Sequence, residues 1–575
     1  MQDFEKSVAF LRTWGPFQRR VLFFLCLTVV PSGYNLLCVI FLLATPPHHC
    51  RIPTHSNLTQ EWTQAIIPVQ EVLGQMKKSS CNRYELELVQ NLSAHGSSPI
   101  PEIIHNMSAP GSSPEFLPWS LNQEGCRDGW AYSTEYYTST VVTEFNLVCS
   151  DQWKQPLTSL VYILGGVCGC FVSGPISDRF GRKPVLFSGI ALLSIFSTAL
   201  AFAPSWPVCV ALFFMVGLGQ ITCYVTTFVM GSELLIGRTR VLFSNLCLPV
   251  FYAISTLLLP GTAYLVTNWR HLSLILAIPG VACIPLWWGI PESPRWLVSR
   301  GRLREAERML RSAAVENRVE APHVIFLSAK IEKATSQESD SLGFLDLLRT
   351  KNIRNITILL WLIWFFVNIS YFGLSFNMSS LYGNPFLNYF LLTVVELPAY
   401  FAGWLMARCL PRRLSFIGFN LLGALALLLI QITLHSKPMV TLSLVLLGRF
   451  GVLAGIGILY TLTSEMSPTV VRNTLLSSCA TFSRIGFSVS PYLLQMAVFS
   501  EFLPWIIVGG LGLLSVVLCL FLPETFRQRM PDTIQELTYT TRFTWPWLFT
   551  PPPKNDETLS NNQMTTSEIL CTTRL

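Results

Sequence analysis

Apolar residues along this chain run in stretches of about 20, the helical length that crosses a hydrocarbon core of roughly 30 Å. Twelve such stretches begin near residues 21, 156, 184, 207, 243, 272, 356, 386, 414, 440, 473 and 502. The pattern predicts an all-α membrane protein with twelve transmembrane helices. Two breaks are long: one from about 46 to 152, and a basic one from 297 to 354. Between them they divide the chain into an N-terminal segment 1–20, a first six-span half 21–296, a linker 297–354, a second half 355–525 and a tail 526–575.

Composition agrees with the pattern. The 575 residues are 51% hydrophobic and 13% charged, where soluble domains carry roughly 25% charged residues. The net charge of +7 matters through its placement. Arg12, Arg19 and Arg20 precede the first span, Arg179, Arg182 and Lys183 separate the second from the third, and Arg300, Arg302, Arg304, Arg308 and Arg311 follow the sixth. The positive-inside rule assigns all three clusters, and with them both termini, to the cytoplasm. The first span has no small-residue cleavage site and is expected to be retained.

The 46–152 loop then lies outside. It carries three glycosylation acceptors, at Asn57, Asn91 and Asn106, each followed two residues later by Ser or Thr. It also holds Cys50, Cys81, Cys126 and Cys149. An even number in an oxidising compartment implies two disulfides, with three pairings open. The remaining cysteines fall mostly within spans, as small packing residues.

The chain repeats itself. "SELLIGRTR" begins at Ser232 and "SEMSPTVVR" at Ser464; "PESPR" begins at Pro291 and "PET" at Pro523; both pairs are 232 positions apart. Two halves in the same order describe a parallel repeat about an axis along the membrane normal, with substrate bound near the midplane between them. The segment "GPISDRFGRK", Gly174 to Lys183, resembles the signature loop of the major facilitator superfamily. Asp178, Arg179, Gly181 and Arg182 there, with Glu233, Arg240, Glu465 and Arg472 at the ends of the fourth and tenth spans and the start of the eleventh, are the gating candidates. Gly181 suits a tight turn, and Asp178 can accept from neighbouring arginines. The equivalent stretch "GWLMARCLPRR" has Ala407 in place of the acid, which predicts a lopsided gate.

Further segments narrow the likeness. "GPFQRR", "ATPPHHC", "TEFNLVC", "PESPRWL", "VELPAY", "NIRNITILLWLIWF" and "SPTVVRN" resemble the organic cation/anion/zwitterion transporters, solute carrier family 22, from about residue 4 to 540. The resemblance is nearest to the carnitine and ergothioneine branch. It implies a plasma-membrane carrier for small zwitterions that pair a quaternary ammonium with a carboxylate. In that family an acid on the eleventh span marks cation carriers, and an arginine marks anion and zwitterion carriers. Arg484, in "FSRIG", is of the arginine type. A guanidinium fork in a partly dry cavity binds carboxylate through short bidentate bonds. The alternative is permanent pairing of Arg484 with a structural acid, Glu396 or Glu465. Glu396 itself is open as a substrate ligand, as a counter-ion for Arg484 or Arg449, or as a packing residue. Quaternary ammonium has no N–H and suits aromatic faces; the candidates are Tyr460, Tyr224, Tyr371, Phe372, Trp361 and Trp364.

Two positions depart from the sodium-coupled carnitine carriers, which have asparagine where this chain has Ser32 and Cys223. A thiol is a poor ligand for a hard cation, so transport is expected to depend weakly or not at all on sodium. Sodium or proton co-transport stays open, and Glu465 is a possible cation partner. "GSELLIGRTR" lacks the spacing and lysine of a phosphate loop, so ATP is not expected, nor is any other cofactor or metal. No nucleophile–base pair marks an enzyme, and nothing implies nucleic acid. The polar tail ends in Thr573-Arg574-Leu575, a pattern bound by PDZ scaffolds. The expected function is carriage of carnitine-like zwitterions by alternating access. The rivals are an organic cation or anion carrier without carnitine activity and a non-transporting receptor or scaffold on the same fold.

Overall fold

The computed structural model describes residues 10–11, 14–53, 58–72, 75–94, 122–236, 238–322, 348, 351–378, 383–434, 437–467, 472–497 and 500–526. Among them twelve long helices cross the molecule. The first half comprises α1 (Pro16–Asn35), α2 (Lys154–Phe180), α3 (Arg182–Leu200), α4 (Trp206–Leu234), α5 (Leu248–Leu265) and α6 (Trp269–Cys283). The second comprises α7 (Lys351–Asn377), α8 (Pro385–Val394 continuing as Glu396–Cys409), α9 (Arg412–Thr433), α10 (Pro438–Met466), α11 (Arg472–Met496) and α12 (Leu503–Cys519).

Ten of these spans are long and apolar enough to cross a membrane. The other two differ for separate reasons. α12 has only 17 residues, whereas α11, with 25, is rich in Ser and Thr and carries Arg484. The fifth span, expected from 243, begins as regular helix at Leu248 after a wider π-helical turn, Phe243–Cys247. An amphipathic helix in the linker, Leu303–Glu316, buries Ala306, Leu310 and Ala313. It is tied to the start of α1 by the Arg20–Glu316 pair and by Asn317 hydrogen-bonding Gln18.

The halves pack alike: α2 lies on α4 and α3 on α4 in the first, α8 on α10 and α9 on α10 in the second. Small residues permit the closest crossing. A Cβ added to Gly165 would stand 2.0 Å from the Phe214 carbonyl, and one added to Gly217 2.0 Å from that of Tyr162. Backbone approach of this kind replaces the hydrophobic drive that helices lack in lipid.

The long loop builds a small domain at one end, called here the disulfide face. Strand β1 (His48–Cys50) pairs antiparallel with β6 (Trp130–Tyr132), β2 (Val69–Val72) with β3 (Gln75–Lys78), and β4 (Asn82–Tyr84) with β5 (Gln123–Gly125). Its core holds Trp62, Ile66, Ile67, Tyr84 and Val89. The buried Arg83 is answered by Glu124 at 2.9 Å and Asp128 at 2.6 Å. Of the three possible pairings, the cysteines adopt Cys50–Cys126 and Cys81–Cys149. Asn91 is exposed; Asn57, Asn106 and the tail with Thr573 to Leu575 lie outside the described residues.

Candidate substrate site

At the disulfide face the two halves meet in an aromatic cluster. Phe386 of α8 stacks on Phe41 at 5.9 Å and also meets Tyr137 at 5.2 Å and Tyr264 at 5.8 Å. Lower down, α2 packs against α11, and α5 against the first segment of α8. The opposite, basic face is organised differently, with one charged cluster in each half.

In the first half, Arg182 bonds Asp178 at 2.5 Å and Glu233 at 3.1 Å. Gly181 has a positive φ of 110°, and a Cβ there would meet the Glu292 carboxylate at 2.6 Å. That carboxylate accepts from the N–H groups of Arg182 at 3.0 Å and Lys183 at 3.2 Å, so it caps α3 and complements the positive helix end. The Asp178 carbonyl accepts from Trp296 and Arg300. Arg179 lies over Phe180, and Arg240 donates to the Leu235 carbonyl.

The second half repeats the device with one member missing. Arg412 bonds Glu465 at 3.2 Å, Glu465 also accepts from Thr525 at 2.6 Å, and Glu524 caps α9 through the N–H groups of Arg412 and Arg413. Ala407 supplies no acid to match Asp178. Arg472 opens α11, but its side chain lies outside the described residues. The two acids 232 positions apart, Glu292 and Glu524, were visible in the repeat; their capping role was not, because it depends on a partner helix more than a hundred residues away.

Mid-depth, two arginines sit in contrasting surroundings. Arg449 on α10 is fully buried. It pairs with Glu396 and donates to the Tyr371 carbonyl at 2.7 Å and to Ser375 at 2.9 Å. Its guanidinium lies 3.5 Å from the Tyr371 ring centroid, and the Tyr371 hydroxyl donates to Glu396 at 2.9 Å. Of the roles left open for Glu396, the structure shows the counter-ion to Arg449; Tyr371, a candidate for facing substrate, is turned into the same network that neutralises the protein's own cation. A buried guanidinium left without that acid would be strongly destabilising.

Arg484 on α11 is half-buried, and among the described residues it has no hydrogen-bond or ion-pair partner. Neither proposed resident acid reaches it, since Glu396 is held by Arg449 and Glu465 by Arg412. Its charge acts on Tyr224, Tyr252 and Tyr162 of the first half and on Tyr460 of the second. Tyr460 stands edge-on to Trp364 at 4.7 Å and keeps 49% of its surface exposed. Tyr224 and Tyr252 meet edge to face at 5.2 Å. Tyr252, missed in the sequence, accepts from the Gln220 amide at 3.4 Å; Ser255 and Thr256 one turn further on did not single it out.

Other aromatic candidates serve packing. Trp361 stacks on Phe482 at 4.5 Å and donates to Ser478, Phe372 stacks on Phe487 at 3.6 Å, and Trp364 donates to Thr463. Ser32 and Cys223 are both buried between α1 and α4. The Ser32 hydroxyl donates to the Gln220 carbonyl at 2.9 Å, and the Cys223 thiol to that of Thr28 at 3.1 Å.

Twelve helices in two like halves, with a charged cluster at the basic end of each, define the major facilitator fold. A family model described as "Sugar (and other) transporter" matches residues 122–534. Human "Organic cation/carnitine transporter 2" is 42% identical over 537 residues, covering 93% of this chain and 94% of that protein. Mouse "Solute carrier family 22 member 4" is 40% identical, covering 93% and 95%. Among solved structures, the E. coli xylose transporter XylE superposes with a TM-score of 0.56 at 17% identity, covering 68% of this chain and 90% of that one. The chain belongs to solute carrier family 22, a family of multi-pass membrane transporters and not of enzymes.

Proposed function

We propose that this protein carries carnitine-like zwitterions across the plasma membrane by alternating access, with both termini in the cytoplasm and carbohydrate on Asn91. The observation that carries the reading is the contrast at Arg484. It is a guanidinium on α11 with no resident acid among the described residues, and its charge acts on tyrosines of both halves. A cargo carboxylate would neutralise it through charge-assisted bonds, while the faces of Tyr224, Tyr252 and Tyr460 would receive the quaternary ammonium. The gate on the cytoplasmic side would be the pair of clusters around Arg182 and Arg412. Support for the substrate class comes from the relatives, one of which is named for organic cations and carnitine.

Sodium coupling would be weak or absent. The hydroxyl of Ser32 and the thiol of Cys223 are committed to backbone carbonyls, which leaves little to hold a hard cation. That same departure favours a second reading, an organic-ion carrier that no longer takes carnitine. The decisive experiment is competition uptake with carnitine, ergothioneine and tetraethylammonium in the parent protein, with N-methylglucamine replacing sodium in a parallel series. Carnitine uptake that persists within about tenfold without sodium supports the first reading; failure of carnitine either to enter or to compete supports the second.

A further inference from the structure

Beside the aromatic cluster, a cavity of 420 Å³ opens between the halves at the disulfide face. Ile40 and Gln155 bound it from the first half, and Phe376, Pro385 and Pro491 from the second. Arg484 does not line it. Pro491 lies seven residues beyond Arg484 on α11, about 10 Å along the helix axis toward the disulfide face.

We propose that this cavity binds an uncharged, flat polycyclic molecule, and that its occupation holds the disulfide end of the carrier shut. The chemistry of the wall selects the ligand. No charged side chain lines the cavity among the described residues. An ionic ligand would therefore shed water with no counter-charge to answer it. Five of the lining residues are prolines and two are the adjacent Tyr136 and Tyr137; such rings present rigid apolar faces. Thr45, Ser133, Gln152, Gln155, Ser159 and Gln495 supply uncharged polar groups that would orient a guest. The volume falls within the roughly 300–1,000 Å³ typical of small-molecule pockets.

The effect on transport follows from the walls belonging to different halves. An occupant touches both only while the two ends are together, so it binds that arrangement better than the separated one and shifts the population toward it. The site thus differs from the transport site in ligand charge and in the conformation it favours.

Flavone, planar and uncharged, is the probe. With the purified full-length protein, flavone is expected to raise the thermal unfolding midpoint in a saturable way. Ser133→Trp, which fills the cavity, should abolish that shift, and Ser133→Thr should keep it. Should Ser133→Trp fold poorly, Gln495→Glu places a charge in the wall and should weaken flavone at least about tenfold, the equivalent of 1.4 kcal/mol. In uptake, flavone added from the disulfide face should lower the maximal rate, and saturating substrate should not restore it. No saturable shift, an equal shift in the cavity variants, or full relief by substrate overturns the proposal.

Discussion

Arg449 and Arg484 lie on neighbouring helices of the same half, yet the protein treats them in opposite ways. Arg449 is sealed among Glu396, Tyr371 and Ser375 and has no exposed surface. Arg484 is half-buried and has no acid of its own among the described residues. A permanent intramembrane cation must be answered. The first is answered by the fold and is a matter of stability; the second has no such answer among the described residues, and the proposed transport role rests on that difference.

The largest expected effect comes from breaking the resident pair. Glu396→Ala strands a buried guanidinium and should cost about 3–5 kcal/mol, seen as loss of monodisperse protein and a lower unfolding midpoint. Glu396→Leu combined with Arg449→Met should recover most of that loss, because an apolar pair of similar volume needs no counter-charge. Arg484→Ala should behave in the opposite sense, with an unfolding midpoint near that of the parent. Carnitine uptake should fall about 10- to 100-fold, as expected when charged hydrogen bonds worth about 1.5–3 kcal/mol are lost. Tetraethylammonium uptake should change far less. Equal destabilisation by the two alanine variants would erase the distinction between the arginines.

The gate clusters allow a finer test of how far a resident acid matters. Asp178 is 65% exposed on its side chain, and Arg182 keeps Glu233 without it. Asp178→Asn should therefore alter the unfolding midpoint by less than the equivalent of about 1 kcal/mol. Glu233→Gln, which removes the less exposed partner, should have the larger effect.

The smallest effects concern carboxylates at the membrane margins and carry opposite signs with pH. Partial burial alone would raise the Glu144 pKa, but hydrogen bonds from Arg270 and Trp269 and the Arg270 charge hold it below the usual carboxylate range. Its stabilisation is complete above the ordinary carboxylate pKa and is lost as pH falls through the depressed value. Burial pushes Glu292 the other way, only partly offset by the N–H groups it caps. Its ionisation in the fold is penalised, so this contribution weakens as pH rises from the ordinary value through the raised one. Unfolding midpoints measured against pH should lose part of their acid-side decline in Glu144→Gln. In Glu292→Gln they should lose a slope of the opposite sign.

Much of this architecture was legible along the chain. Span length is a local property of apolar runs, and the 232-residue repeat exposed Glu233 with Glu465 and Glu292 with Glu524 as equivalents. The absent acid at Ala407 could be read directly. What stayed hidden was partner choice. Glu396 was open between Arg449 and Arg484, and three cysteine pairings were equally allowed. Tyr252 had no mark beyond its residue type.

Sequence by itself determined that the chain spans a membrane as two similar six-helix halves, and that an arginine sits on the eleventh span. Those conclusions need only the spacing of residues close together in the chain. Tertiary structure alone decided that Glu396 answers Arg449 and that Cys50 pairs with Cys126 and Cys81 with Cys149, and that the fold leaves Arg484 half-buried with no such acid among the described residues. The physical reason is that ion pairs, disulfides and cavities depend on where helices far apart in sequence come to lie. Helix packing sets those distances, and no run of neighbouring residues records them.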